Sequence, residues 1–306
     1  MTHDHICFFM KEAAKLSAAH NLTAAYHHCQ QLAAQHYENF PTASQLIRAD
    51  LRPAVAAIYA FARHADDIAD NAQIPISVRE KELDAWDTLL ERCTEGSVEH
   101  PIMLALGDTL RRHQLPVELL HDLLVAFRMD LTIHRYASTE DLHYYCHYSA
   151  NPIGRLMLAL HGINDPAALA QSDAICTGLQ LANFWQDLSR DLPDGRSYLA
   201  LEWLTPQHLD HEALLEGRAA DEPLRAALQT AIHHTHGLFD RGAPLLSALP
   251  WRLRAQIAAT LAGGRAILRA VARNPDPLRQ RPDLQRSDWL RLAPGIVRNT
   301  LFPPHS

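Results

Sequence analysis

Glycine is sparse in this chain, 12 in 306 residues, and alternation of β-branched and aromatic residues between glycine turns is hard to find anywhere. Hairpin sheets need both signals, so their absence argues against a β architecture. No apolar run approaches the length needed to span a bilayer, and the short stretch from Ile6 to Met10 is followed at once by charged residues. A basic excess is missing too. The formal charge of −7 argues against a general nucleic-acid binder, which would concentrate positive charge on one surface. The five cysteines (Cys7, Cys29, Cys93, Cys146, Cys176) are scattered, odd in number and without a CxxC pair, so they offer no zinc motif and suit a reducing cytosol. The expectation is a soluble, cytoplasmic protein, with peripheral contact at the inner face of the membrane left open.

What is present is helix-forming. Hydrophobic residues make up 47% of the chain, and alanine and leucine dominate Ala54 to Ala62, Leu156 to Leu160 and Leu224 to Ala231. Prolines punctuate the sequence at helical intervals. Asp165-Pro166, Thr205-Pro206 and Glu222-Pro223 read as helix starts, because proline in the first turn forfeits no needed hydrogen bond. Ser77 with Glu80 matches a capping box opening a helix through Leu90. Asn151-Pro152 reads as a helix break. About ten helices are expected, in an all-α fold. No composition shift marks a linker before Asn274 to Asp288, which is rich in proline and arginine, so one domain over 1–306 with its core at about 20–285 is the economical reading.

Two acidic signatures carry the chemistry. In Ile58 to Asp70, the residues Ile58, Phe61, Ala62, Ala65 and Ala69 form an apolar stripe, while Tyr59, Arg63, Asp66 and Asp70 form a polar one. In Thr177 to Tyr198, Gln180, Asn183, Gln186, Asp187, Arg190 and Asp191 oppose Leu181, Phe184, Trp185 and Leu188. Either helix alone could be an ordinary amphipathic surface with an intrahelical ion pair. Facing one another, they would gather four or five carboxylates, which repel unless divalent cations neutralise them. Mg²⁺ takes a few carboxylates, keeps waters and completes its shell with substrate phosphate oxygens. The pattern therefore points to a diphosphate site in a helical protein.

At these residues the chain resembles the squalene and phytoene synthase family, the head-to-head prenyl synthases. The resemblance runs from about His36 to Pro282 and rests on His36-Tyr37-Glu38-Asn39-Phe40-Pro41, Tyr59 to Asp70, Tyr145 to Arg155 and Gln180 to Tyr198, in family order. Within the family it is most like the hydroxysqualene synthase branch of bacterial hopanoid biosynthesis. The resemblance implies a single isoprenoid-synthase helical fold around a central cavity. It also implies that Asp66, Asp70, Asp187 and Asp191, supported by Asn183, hold Mg²⁺ against a prenyl diphosphate. Arg63 matches a diphosphate-binding arginine of the family, with Arg190, Arg196 and Arg281 as further candidates. Tyr59 and Tyr145 match aromatic positions beside the reacting carbons. Gln180, Gln186, Asn151, Tyr37, Asn39 and Phe40 complete the expected substrate contacts.

Many phytoene and dehydrosqualene synthases place serines where Tyr37 and Asn39 lie, and an arginine where Gln186 lies. One fewer cation beside the diphosphate suits a site handling one presqualene diphosphate rather than two farnesyl diphosphates in succession. The expected reaction is ionisation of presqualene diphosphate and capture by water, giving hydroxysqualene and diphosphate. The alternatives are a squalene or phytoene synthase that condenses two prenyl diphosphates and a non-catalytic relative acting as an assembly factor. The latter would be expected to lose the acidic ligands, and both sets are present. The histidines of His233-His234-Thr235-His236 and His27-His28 lack the i, i+4 pair with an acidic partner of zinc hydrolases and read as solvated or satisfied. Gly263-Gly264 in an apolar stretch suggests close helix packing or room for substrate.

Overall fold

The computed structural model describes residues 21–35, 46–96 and 98–304. The stretch His36 to Pro41, and with it Tyr37, Asn39 and Phe40, lies outside them, as does Cys7. The described residues are mainly helical, and the only β pairing among them is an isolated parallel bridge between Arg135 and Ser197. The chain groups into two compact units, Met1–Leu124 and Val125–Ser306.

In the first unit, α1 (21–35) is followed by α2 (Arg52–Asp70), α3 (Ile76–Glu95) and α4 (Pro101–His113); α5 (Glu118–Asp130) carries the boundary. The expected apolar stripe of α2 is buried at Ile58, Phe61, Ala65 and Ala69. Phe61 stacks on Trp86 of α3 at 5.7 Å between centroids. Burying such a side chain contributes about 2–3 kcal/mol, which fixes the rotation of α2 and so directs its other face. Helix α3 begins at Ile76 with Pro75 as its cap and no side-chain cap bond, so the Ser77–Glu80 capping box does not form. Proline already ends the preceding backbone in an extended conformation, which places the helix start one residue before the serine.

The second unit contains α6 (Thr139–Ser149), α7 (Asn151–Leu160), α8 (Pro166–Asp191), α9 (Leu201–Leu204), α10 (His211–Leu215), α11 (Asp221–Gly242), α12 (Leu245–Ala248), α13 (Trp251–Arg273) and α14 (Arg286–Leu301). Asp165 caps α8 by accepting from the Ala168 N–H at 2.9 Å, with Pro166 in the first turn, as the sequence indicates. Asn151-Pro152 does mark the break between α6 and α7. Helix α11 starts at Asp221, next to the expected Glu222-Pro223 start. Thr205-Pro206 instead opens only a 3₁₀ turn, Thr205–Gln207, cut short by His208 in the left-handed region.

Helix α8 is the axis of this unit, packed by α7, α11 and α13. Leu181, Phe184, Trp185 and Leu188 are all buried, the face the spacing predicts. Trp185 donates from Nε1 to Thr235 Oγ1 at 2.9 Å, which satisfies its one polar atom inside the core. Gly178 of α8 and Gly264 of α13 admit the ring of Phe239 from α11: a Cβ at either position would lie 2.8 or 2.7 Å from it. The Gly263-Gly264 pair is therefore a close-packing device, since a Cβ on Gly263 would also meet Trp289 at 3.0 Å. The described cysteines are free thiols.

Candidate functional site

The first acidic motif lies on the last turns of α2. Arg63 sits one turn before the carboxylates and pairs with two of them, Nη1 to Asp66 at 3.0 Å and Nη2 to Asp67 at 2.6 Å. Its side chain is 35% exposed, against 39% for Asp66 and 54% for Asp67, so this is a partly solvated pair. Asp70 ends the helix in an exposed position. Burial raises the Tyr59 phenol, so it is a neutral hydroxyl at physiological pH. The family resemblance assigns Arg63 to a diphosphate; the structure shows it holding the acidic motif.

The second motif closes α8. Asp187 is more enclosed than the carboxylates of the first, at 17% exposure, and accepts from the guanidinium of Arg281. Arg281 also reaches Asp283. Gln186, one residue before Asp187, donates to the Pro282 carbonyl at 2.8 Å and to Asp283 Oδ1 at 3.2 Å. Gln186 thus pins the segment that carries Arg281 against the acidic face. One turn on, burial and the neighbouring Asp187 push Asp191 up to about 7, with Arg196 and Arg190 pulling the other way and Asp194 adding to the rise. Burial is the larger cause, and the nearby arginines do not offset it at Asp191. Asn183 and Arg190 are exposed, and Gln180 and Arg196 are half-buried.

Beside this pair stands an aromatic wall. Tyr198 lies flat on Phe184, 3.7 Å between centroids and 4° between planes. Tyr136 stacks against Tyr198, and Tyr145 meets both Tyr136 and Phe184, each at 5.9 Å. All four are buried. Burial is the chief cause that raises all three phenols, and Asp130 adds to the effect. The rings are thus neutral hydrogen-bonding groups with electron-rich faces. Tyr136 Oη is buried without a hydrogen-bond partner, a polar atom left for something else to satisfy.

Sequence reasoning misses Tyr136 and Asp130. Tyr136 belongs to an irregular segment whose chain pairs with another: Ser197 N–H donates to the His134 carbonyl at 2.8 Å and Leu201 N–H to that of Tyr136 at 3.0 Å. No helical period announces such a strand-like graft. Asn151 is buried and accepts from Thr177 Oγ1 at 3.0 Å, so it ties α7 to α8. His234, expected to be a solvated or satisfied histidine, is paired with His143, Nε2 to Nε2 at 2.9 Å.

Among the described residues no three His, Cys, Asp or Glu side chains converge to hold a metal by themselves. The described residues thus form no closed protein cage. A pair of half-buried carboxylates one turn apart is what Mg²⁺ accepts, because it binds through one or two carboxylates and takes its other oxygens from water and substrate phosphate. On the chemistry of its donors, the Asp187–Asp191 pair fits such an ion.

Known proteins share both the sequence pattern and the architecture. The family model described as "Squalene/phytoene synthase" matches residues 33–288. The hydroxysqualene synthase of Zymomonas mobilis is 34% identical over 270 residues, covering 87% of this chain and 89% of that protein. The 15-cis-phytoene synthase of Synechococcus elongatus is 30% identical over 266 residues, covering 83% and 86%. Among solved structures, squalene synthase HpnC from Alicyclobacillus acidocaldarius superposes with a TM-score of 0.78 at 36% identity, covering 82% of this chain and 94% of that one. The all-helical architecture is thus the isoprenoid-synthase fold, and the chain belongs to the squalene/phytoene synthase family.

Proposed function

We propose that this protein is a Mg²⁺-dependent hydroxysqualene synthase, which converts presqualene diphosphate and water to hydroxysqualene and diphosphate. The reading is carried by the end of α8: two carboxylates one turn apart, Asp187 and the partly buried Asp191, the latter within electrostatic reach of Tyr198 in a cluster of stacked neutral aromatics. One half suits a metal-bound anionic leaving group and the other a hydrocarbon cation. The likeness to hydroxysqualene synthases from several bacteria supports this choice within the family.

Asp187 and Asp191, with Asn183, would hold Mg²⁺ at the second motif, and Asp66 and Asp70 would do so at the first. When bound, the metal supplies positive charge to the departing diphosphate. The protein's own contributions are electrostatic and steric. Arg281, held in place by Gln186, brings a guanidinium whose fork matches phosphate oxygens. Arg63, Arg190 and Arg196 add positive charge near the carboxylates. Tyr59 and Tyr145, the positions the family resemblance puts beside the reacting carbons, would offer ring faces to the cyclopropylcarbinyl and allylic cations, since a ring face attracts a cation more strongly where water is excluded. Burial of Tyr145 among Tyr136, Phe184 and Tyr198 delays quenching until one water is admitted. Gln186 in place of a further arginine leaves the site less cationic, which favours a single diphosphate.

Mass spectrometry of products formed with Mg²⁺ from presqualene or farnesyl diphosphate tests the proposal. Hydroxysqualene from presqualene diphosphate, with farnesyl diphosphate untouched, is expected. Presqualene diphosphate or a C30 hydrocarbon made from farnesyl diphosphate would reject it in favour of a condensing synthase.

A further inference from the structure

Capture of a cation by water lasts only if the new oxonium loses a proton. In a cavity closed to bulk solvent the oxonium otherwise expels the water and the cation returns, so the step calls for a proton acceptor nearby. One carboxylate lies among the hydroxyls of the aromatic cluster. Asp130, the last residue of α5, is hydrogen-bonded to the Tyr145 side chain. Its charge also acts on Tyr136 and Tyr198, which places it within electrostatic reach of all three phenols. Asp130 belongs to neither acidic motif.

The same cluster provides a place for the water. Tyr136, Tyr145 and Tyr198 are buried, and each acts electrostatically on another, so their hydroxyls gather on one side of the rings. Tyr136 Oη is buried with no hydrogen-bond partner, and its ring meets that of Tyr145 edge to face at 5.9 Å. A hydroxyl both donates and accepts, so an unsatisfied one in a closed polar corner suits a single water. Burial keeps the three phenols protonated, so none of them is itself the base. His211 is committed elsewhere: its ring nitrogens bond Ser197 Oγ at 2.9 Å and the Tyr136 carbonyl at 3.3 Å, fixing the segment that carries Tyr136.

We propose that Asp130 takes up, through the Tyr145 hydroxyl, the proton released when water captures the cation, and that the Tyr136 hydroxyl positions that water. A lone pair of the water oxygen forms the C–O bond to the cationic carbon. One O–H bond of the water breaks and its proton goes to Tyr145 Oη, while the proton already on Tyr145 passes to Asp130. Cation and carboxylate thus end as a neutral alcohol and a neutral acid. Asp130 acts through Tyr145, and its role is to decide what becomes of the cation. This assignment rests on the water-capture reading of the reaction.

Turnover of presqualene diphosphate with Mg²⁺ tests it, with hydroxysqualene and diphosphate measured in the same reaction. The wild type is expected to form one alcohol for each diphosphate released. Asp130→Asn should lower that ratio at least about tenfold, whatever its effect on the rate of release, with olefins formed by proton loss from the cation making up the difference. Asp130→Glu should restore most of the ratio. Tyr145→Phe keeps the ring face and removes the hydroxyl, so it should shift the products in the same direction, and it supplies the test if Asp130→Asn does not fold. A loss of packing alone would slow both products together and leave the ratio at its wild-type value. A wild-type ratio in Asp130→Asn or in Tyr145→Phe would overturn the assignment. A wild type that forms no hydroxysqualene would overturn the water-capture reading as well, a failure visible before any variant is made.

Discussion

Arg281 donates from Nε to Oδ1 of Asp187, 94 residues earlier in the chain, and its other arm reaches Asp283. This cation rests on the carboxylate proposed to hold the metal, on a segment pinned by Gln186. Arg281→Gln is expected to raise KM for the diphosphate substrate about tenfold, the value of one charge-assisted contact, with partial rescue by Arg281→Lys. Stability should fall by only about 1 kcal/mol, because both partners retain some solvent. Steady-state kinetics alongside urea denaturation separates the two effects. A KM unchanged in both variants would remove Arg281 from substrate binding.

Asp187→Asn and Asp66→Asn should each lower diphosphate release by at least about a hundredfold while leaving helical content intact, since electrostatic stabilisation of the leaving group is the main contribution asked of these residues. A pyrophosphate-release assay with presqualene and farnesyl diphosphates reads this directly. Retention of full release by both variants would sink the enzymatic mechanism.

Gly264→Ala is expected to destabilise the protein by about 1–3 kcal/mol, as its Cβ would sit 2.7 Å from Phe239 and 3.1 Å from Leu179 in a packed core. Gly295→Ala should do the reverse. It lies on α14, and a Cβ added there would meet nothing within 4 Å, so the gain in helix propensity, about 0.5–1 kcal/mol, comes without a clash. Midpoints of chemical denaturation for both variants provide the comparison.

Acid should weaken the fold through the His143–His234 pair. Burial, followed by His143 and Arg241, lowers His234 from 6.5 to about 4, and Glu202 only partly opposes this, while His233 adds to it. Burial also lowers His143. Between pH 6.5 and 4 the unfolded chain takes up protons that the folded one refuses. The contribution is therefore fully present above 6.5 and is lost as pH falls toward 4, with His234 accounting for about 2 kcal/mol once solvent screening of a half-buried ring is allowed for. Unfolding free energies at about pH 7.5 and about pH 5, either side of the upper limit of this window, should differ less in His234→Gln than in the wild type. Equal differences would discount the pair.

Much of the fold was legible because it is local. The apolar stripes of α2 and α8 obey helical spacing, so the buried faces at Phe61, Ala65, Phe184 and Trp185 follow from residue order alone. Asp165-Pro166 shows the same locality at a helix start. The Ser77–Glu80 capping box fails because Pro75, two residues earlier, has already set the start of α3. Thr205-Pro206 fails because a short turn carries too few apolar positions to extend.

The candidate site was legible at its carboxylates and not around them. Sequence alone determined the two acidic helix faces and the family, since side chains four residues apart share a face whatever the rest of the chain does. Only tertiary structure decided that Arg281 falls on Asp187, that Gln186 grips the segment beyond it, and that Tyr136 joins Tyr145, Phe184 and Tyr198 in one aromatic wall. These partners are separated by tens of residues and meet through irregular chain. Long-range contacts of that kind leave no period in the sequence, because they are fixed by how packed helices return upon one another and not by the order of residues along any one of them.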